Sequence, residues 1–85
     1  MSALHTIHNG AALAQALPRS GDDPLLLLED GVYAAAHQGL KGRIVYALRE
    51  DVAARGLAAP QGVMMVSMKE FVALAVKHAP IVAWY

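Results

Sequence analysis

Hydrophobic and polar positions alternate along the chain as short apolar runs separated by turn-forming segments. Short continuous apolar runs bounded by glycine, proline and aspartate are typical of strands that are buried on both faces of a sheet. The pattern predicts five strands: Ala3 to Ile7, Leu25 to Leu28, Arg43 to Leu48, Val63 to Val66 and Ile81 to Trp84.

Segments with helical spacing or capping residues lie between these strands. The predicted helices are Ala11 to Leu17, Val32 to His37, a helix from Glu50-Asp51 to the C-cap Gly56, and one from the capping box Ser67-Met68-Lys69-Glu70 to Lys77-His78. The turn cluster Pro18 to Pro24 ends the first helix, and Pro80 ends the last. This alternation predicts one α/β domain over residues 1–85, with a mostly parallel five-stranded sheet and right-handed crossovers.

Parallel sheets place ligand sites outside the carboxyl ends of their strands, which makes Asn9, Glu29-Asp30-Gly31 and Arg49-Glu50-Asp51 candidates by position. Asp30 could act as a general base or cation ligand, or could cap the following helix; we favour the cap, which is a common role of aspartate. Gly31 needs only a tight turn or close packing, because no phosphate-loop motif surrounds it.

The residues that usually carry covalent or metal chemistry are absent or badly spaced. The chain has no cysteine, and no serine lies in a nucleophile-elbow motif. His5 and His8 project to opposite faces of a strand, and His37 and His78 have no neighbouring ligands. We therefore predict no catalytic residue, no metal site and no cofactor.

Composition favours an assembly with other chains. Hydrophobic residues make up 56% of only 85 residues, which is more apolar surface than a small monomer readily buries. Tyr33, Trp84 and Tyr85 are interface candidates, because large aromatics are enriched in interfaces; for Trp84 the alternative is packing in the domain's own core. Seven basic and seven acidic side chains cancel without a basic stripe, which argues against direct nucleic-acid binding.

The chain has no feature of a membrane or secreted protein. No apolar run approaches the roughly 18 residues of a membrane span. The segment Met1 to Gly10 lacks the basic and apolar regions of a secretory signal. We expect a soluble cytoplasmic protein.

Four segments together resemble one family. They are LHTIH (Leu4 to His8), LLLLEDGVYAA (Leu25 to Ala35), VYALREDVAARGL (Val45 to Leu57) and FVALAVKHAPIVAW (Phe71 to Trp84). In this order they resemble the TusB/DsrH family, the small subunit of the TusBCD and DsrEFH sulfur-relay complexes, over nearly the whole chain.

The resemblance implies a DsrEFH-like fold in a heterohexamer with TusC-like and TusD-like subunits. In the Tus relay, sulfur passes as a persulfide on partner cysteines toward 2-thiolation of the tRNA wobble uridine. The DsrH branch carries a cysteine near its amino-terminal helix, and this chain has none. Because a persulfide needs a thiol, the resemblance implies a non-catalytic subunit on the tRNA branch. The segment between Asn9 and Leu25 is also shorter than expected for the family.

Three alternatives remain open on sequence alone. The first is a subunit of a DsrEFH-type complex in sulfur oxidation. The second is a small ligand-binding or enzymatic α/β domain that uses Asp30 and Asp51 at the strand ends. The third is a homo-oligomer that assembles without other subunits.

Overall fold

The computed structural model describes residues 2–58 and 60–85. Strands and helices alternate in it, as the sequence predicts. The elements are β1 (Leu4–Ile7), α1 (Gly10–Ala16), β2 (Leu25–Leu27), β3 (Val45–Leu48), α2 (Arg49–Ala54), β4 (Val63–Val66), α3 (Met68–Lys77) and β5 (Ile81–Trp84), with short 3₁₀ helices at Leu17–Arg19, Glu29–Ala34 and Gln38–Leu40. Each predicted strand is confirmed, with ends that differ by at most two residues.

The five strands form one sheet in the order β4-β3-β2-β1-β5. All four neighbouring pairs are parallel, so the sheet is wholly parallel where the sequence predicts a mostly parallel one. The central strand β2 is buried on both faces, which explains its uninterrupted leucines. The strands β4 and β5 form the two edges.

The two faces of the sheet are covered unequally. One face packs against α1, the 3₁₀ helix Glu29–Ala34 and α2, and its core contains Ile7, Leu13, Leu25, Leu27, Val32, Val45, Ala47 and Val52. The other face has a smaller core of Leu4, Leu26 and Val66, on which α3 lays Phe71, Leu74 and Ala75. Because α3 joins the two edge strands, it is the connection that crosses this second face.

Local capping follows the sequence closely. The side chain of Asn9 accepts a hydrogen bond from the backbone N–H of Ala12 at 2.8 Å and caps α1. Ser67 and Glu70 form the predicted capping box at the start of α3. Gly56 takes a positive φ of 64° just past α2, where a side chain would be strained.

The prediction of a helix at Val32 to His37 is wrong both in the kind of helix and in its position. The structure has a 3₁₀ helix at Glu29–Ala34, which begins two residues after β2 ends. Hydrogen bonds of the i to i+3 type, such as Gly31 N–H to the Leu28 carbonyl at 2.9 Å, hold it. The segment is too short to propagate an α-helix, so the tighter form satisfies its backbone groups.

No helix in residues 2–58 and 60–85 is long and apolar enough to cross a membrane.

Candidate functional site

The carboxyl ends of β1, β2 and β3 bring a polar cluster together. The Nδ1 atom of His8 pairs with the Glu29 carboxylate, and its Nε2 lies 3.1 Å from Thr6 Oγ. The backbone N–H of Glu29 donates to the Asp51 carboxylate at 2.6 Å. Glu29 has a φ of 53°, a left-handed conformation that non-glycine residues rarely adopt. Bonds from both its side chain and its backbone therefore fix this turn.

Asp30 has a different partner from the one that the sequence predicts. Its carboxylate accepts hydrogen bonds from Arg55 Nε at 3.1 Å and Nη2 at 3.0 Å. The 3₁₀ helix is capped by Leu28 without a side-chain bond, so the proposed capping role of Asp30 is not what the structure shows. The hydrogen bond to Asp30 raises the pKa of Arg55 above its ordinary value.

Arg55 joins the two aspartates on which the ligand-binding alternative depends. Its Nη1 lies 3.9 Å from Asp51 Oδ1, and its guanidinium sits 5.8 Å from the centre of the Tyr33 ring. Asp51 already accepts the Glu29 N–H. Asp30 and Asp51 are therefore engaged by protein donors, and the cluster is an ion-pair network at the protein surface rather than a pair of free carboxylates. The i, i+4 spacing of Asp51 and Arg55 is the signal in the sequence that could have indicated this pair.

The other residues proposed by position have structural contacts. Gly31 is buried against β1, where a Cβ would overlap the backbone carbonyl oxygen of Ile7 and lie 2.8 Å from its carbon. This matches the close-packing interpretation of Gly31. Arg49 donates to the Met65 carbonyl at 3.4 Å, and Glu50 lies exposed in the first turn of α2.

A second polar group, missed by the sequence analysis, lies beside the larger core. The Trp84 indole N–H donates to His5 Nδ1 at 3.0 Å, and His5 Nε2 lies 2.9 Å from the Asp23 carboxylate. Because an indole can only donate, Nδ1 must accept, so Nε2 carries the hydrogen that goes to Asp23. His5 is buried, and Trp84 is partly buried against the larger core. The structure thus shows that Trp84 packs against the domain's own core, and its part in an interface stays a prediction.

Tyr33 and Tyr85 lie on the surface. Their exposed fractions are 60% and 79%, and the Tyr85 ring stacks on His8 with the ring centres 4.2 Å apart. Their part in an interface stays a prediction.

Metal-ligating side chains do not gather anywhere in the described part of the chain. Among those residues there is no group of three or more histidine, cysteine, aspartate or glutamate side chains that could hold a metal ion.

Several exposed apolar side chains lie on the side of the sheet that carries α3. Met68, Val72 and Val76 recur every four residues along α3 and are 46%, 56% and 80% exposed. Met64 and Ile81 are about half exposed, and their pairing with Tyr46 and Leu4 places them on the same side of the sheet. We call these five residues the α3 face.

Geometry explains why Met64 and Ile81, which lie on the two edge strands, are left uncovered by α3. Five strands spaced about 4.8 Å apart span roughly 19 Å, whereas one helix with its side chains is about 10 Å wide. A single helix therefore covers about half of this side of the sheet. The remaining apolar surface suits contact with another chain.

Comparison with known proteins identifies the relatives of this chain. Protein TusB of Cronobacter sakazakii is 44% identical over 77 residues, which is 80% of each chain. Protein TusB of Shigella sonnei is 42% identical over 94 residues, and that of Escherichia coli K12 is 40% identical over 96. Both alignments cover 95% of this chain and 99% of the relative.

The fold is also found in a solved structure. The crystal structure of the ychN protein from E. coli superposes with a TM-score of 0.69 and covers 99% of this chain and all of that one. At 18% identity this likeness shows the fold alone. A family profile described as DsrH like protein matches residues 9–81. Together with the TusB relatives, this match shows that the chain belongs to the TusB/DsrH family.

Proposed function

We propose that this chain is a non-catalytic subunit of a cytoplasmic sulfur-relay complex that supports 2-thiolation of the tRNA wobble uridine. Membership of the TusB/DsrH family, with close relatives named TusB, supports a role in sulfur relay. The observation that carries the assignment of a subunit role is the α3 face, a set of exposed apolar side chains on α3 and on the two edge strands.

The chemistry of sulfur transfer supports a non-catalytic role. A persulfide forms on a thiolate, and the chain has no cysteine. The carboxyl edge of the sheet, where such chemistry would be placed, is occupied by the His8–Glu29 and Asp30–Arg55 pairs. The transferred sulfur is therefore carried by cysteines of the other subunits, and this chain contributes binding surface.

The partners that fit the proposal are TusC-like and TusD-like subunits, in a heterohexamer. An obligate interface resembles a domain core cut in two, and burial of methionine, valine and isoleucine side chains supplies its free energy. Contact with the tRNA belongs to another protein in this account, because the chain's seven basic and seven acidic residues cancel.

Co-expression tests the subunit role. The chain is produced with TusC-like and TusD-like proteins from the same organism, with an affinity tag on the TusD-like protein. The account expects all three chains to elute together at the mass of a hexamer. A stable monomer of this chain that elutes apart from both partners would remove the proposal.

A further inference from the structure

A cavity of about 460 Å³ opens at the amino ends of β3 and β4. The His8–Glu29 and Asp30–Arg55 pairs lie at the opposite end of the sheet, beyond the carboxyl ends of the strands. The cavity lies between the 3₁₀ helix Gln38–Leu40, the segment just before β3 and the segment just before β4. Its size falls in the range of small-molecule sites, about 300 to 1,000 Å³. Neither the proposed subunit role nor the family comparison assigns it a ligand.

The charges that line this cavity have one sign. Lys41 and Arg43 are the cations that line it, beside the imidazole of His37, and none of the described residues that line it is aspartate or glutamate. The whole chain is electrically balanced, with seven basic and seven acidic residues. The cavity is therefore a local concentration of positive charge, which attracts anions.

Arg43 has no counter-ion in the described part of the chain. Its Nη2 donates to Ser20 Oγ at 2.6 Å and its Nη1 to the Leu17 carbonyl at 3.4 Å, and both acceptors are neutral. Its Nε is buried and finds no acceptor in residues 2–58 and 60–85. The ion pairs found in that part of the chain involve His5, His8 and Arg55, so neither Lys41 nor Arg43 is paired there. A partly buried cation without a carboxylate is costly, and a bound anion would offset that cost.

His37 adds a directed donor. Its Nδ1 accepts a hydrogen bond from the backbone N–H of Gly39 at 2.9 Å. In the neutral ring the hydrogen is then on Nε2, which is left to donate to a ligand. The rest of the wall includes the apolar residues Leu40, Val45 and Val63.

We infer that this cavity binds a small organic phosphate monoester. The dianionic head lies between Lys41, Arg43 and His37, because guanidinium and ammonium groups bind phosphate oxygens through charge-assisted hydrogen bonds. The organic body lies against Leu40, Val45 and Val63, since the cavity is larger than a phosphate ion requires.

Titration followed by ¹H–¹⁵N NMR of the folded chain tests the site. The probes are phenyl phosphate, inorganic phosphate and phenol, which separate the whole ligand, its head and its body. Phenyl phosphate should cause saturable shifts in residues 35–45 and 60–63, inorganic phosphate should bind at least threefold more weakly, and phenol should cause none of these shifts. Absence of saturable shifts with phenyl phosphate would overturn the site, and equal affinity for inorganic phosphate would overturn the organic ligand.

Two variants locate the binding. Lys41→Gln removes an exposed ammonium that makes no side-chain bond in the described part of the chain, so the fold should persist. A lost charge-assisted hydrogen bond should weaken binding of phenyl phosphate about tenfold. Lys69→Gln changes the net charge equally but lies on α3, which packs on the other side of the sheet. It should bind as the wild type does; equal affinities in Lys41→Gln and Lys69→Gln would contradict the site.

Discussion

Gly31 shows how closely the chain is packed where β2 turns into the 3₁₀ helix. A methyl group there would overlap the Ile7 carbonyl oxygen, which is held in the sheet by a hydrogen bond from the Leu28 N–H. Gly31→Ala should lower the free energy of unfolding by about 2 to 3 kcal/mol, because neither backbone can move away freely. Urea unfolding measures this change.

Gly10 is the matched control for that substitution. It is exposed at the start of α1, and a Cβ there would meet nothing within 4 Å. Gly10→Ala should leave stability unchanged or raise it by up to about 1 kcal/mol, because alanine restricts the unfolded chain. Equal stability of the two variants would show that the approach of Gly31 to Ile7 is not the constraint described here.

Trp84 is the second residue whose role can be measured directly. Trp84→Phe keeps an aromatic ring but removes the indole N–H, which leaves His5 Nδ1 without its donor. The free energy of unfolding should fall by about 1 to 3 kcal/mol. Tyr85→Ala, at a mostly exposed neighbour, should change it by no more than about 0.5 kcal/mol. A Trp84→Phe variant as stable as the wild type would mean that the bond to His5 contributes nothing.

Residue contacts are the part of the structure that the sequence predicts least well. The sequence indicates that Asp30 lies at a strand end, but its partner Arg55 is 25 residues away. The pair depends on α2 lying beside the 3₁₀ helix, which is a consequence of strand order. The same holds for His5 and Trp84, which meet only because β5 pairs with β1.

At the scale of elements, local signals were sufficient for the strands and for most helices. Four-residue apolar runs predict β2 and β4, and the capping residues Asn9 and Ser67 mark two helix starts. The segment after β2 was predicted as an α-helix because its alanines favour one. The segment forms a 3₁₀ helix instead, because it is short and because Gly31 packs against β1. The packing of Gly31 depends on the position of β1, which the sequence does not show.

The capping box of α3 predicts a dependence of stability on pH. The carboxylate of Glu70 accepts the backbone N–H of Ser67, and this bond lowers its pKa below the ordinary value of 4.5. A carboxyl with a lowered pKa in the folded state stabilises the fold above pH 4.5, and this contribution is lost as the pH falls below that value. Glu70→Gln should therefore differ most from the wild type near neutral pH and least near pH 3.

Urea unfolding at a series of pH values from 3 to 7 measures this difference. Ser67→Ala removes the other half of the box and should lower the free energy of unfolding by about 1 kcal/mol at neutral pH. A difference between wild type and Glu70→Gln that stays constant with pH would contradict the role assigned to the ionised carboxylate.

At the scale of the whole molecule, part of the high apolar content of the sequence is exposed on the α3 face. Composition predicts an excess of hydrophobic surface, and the structure locates it where one helix crosses five strands. The position could not be predicted from periodicity, because Met68, Val72 and Val76 continue the apolar side of α3 that also holds Phe71 and Leu74. These three are uncovered because they lie on the flank of α3 that turns away from the small core on which Phe71 and Leu74 pack.

A charge introduced on the α3 face should weaken binding to the partner subunits but leave the free chain folded. Val76→Glu introduces a carboxylate at a position that is 80% exposed, so the free chain should stay folded by circular dichroism. Binding to the TusC-like and TusD-like subunits should weaken about thirtyfold, which corresponds to about 2 kcal/mol for a central interface residue. Ala73→Glu adds the same charge on the polar side of α3 and should bind normally; equal binding by the two variants would place the interface elsewhere.

The central claim, that the chain serves sulfur relay to tRNA, is tested most directly by 2-thiouridine in bulk tRNA. The gene is deleted in its own organism, and nucleosides from digested tRNA are quantified by mass spectrometry. In the deletion strain, 2-thiouridine at the wobble position should fall strongly; the wild-type chain should restore it, and Val76→Glu should not. Unchanged thiolation in the deletion strain would contradict the proposed function and leave the fold as described.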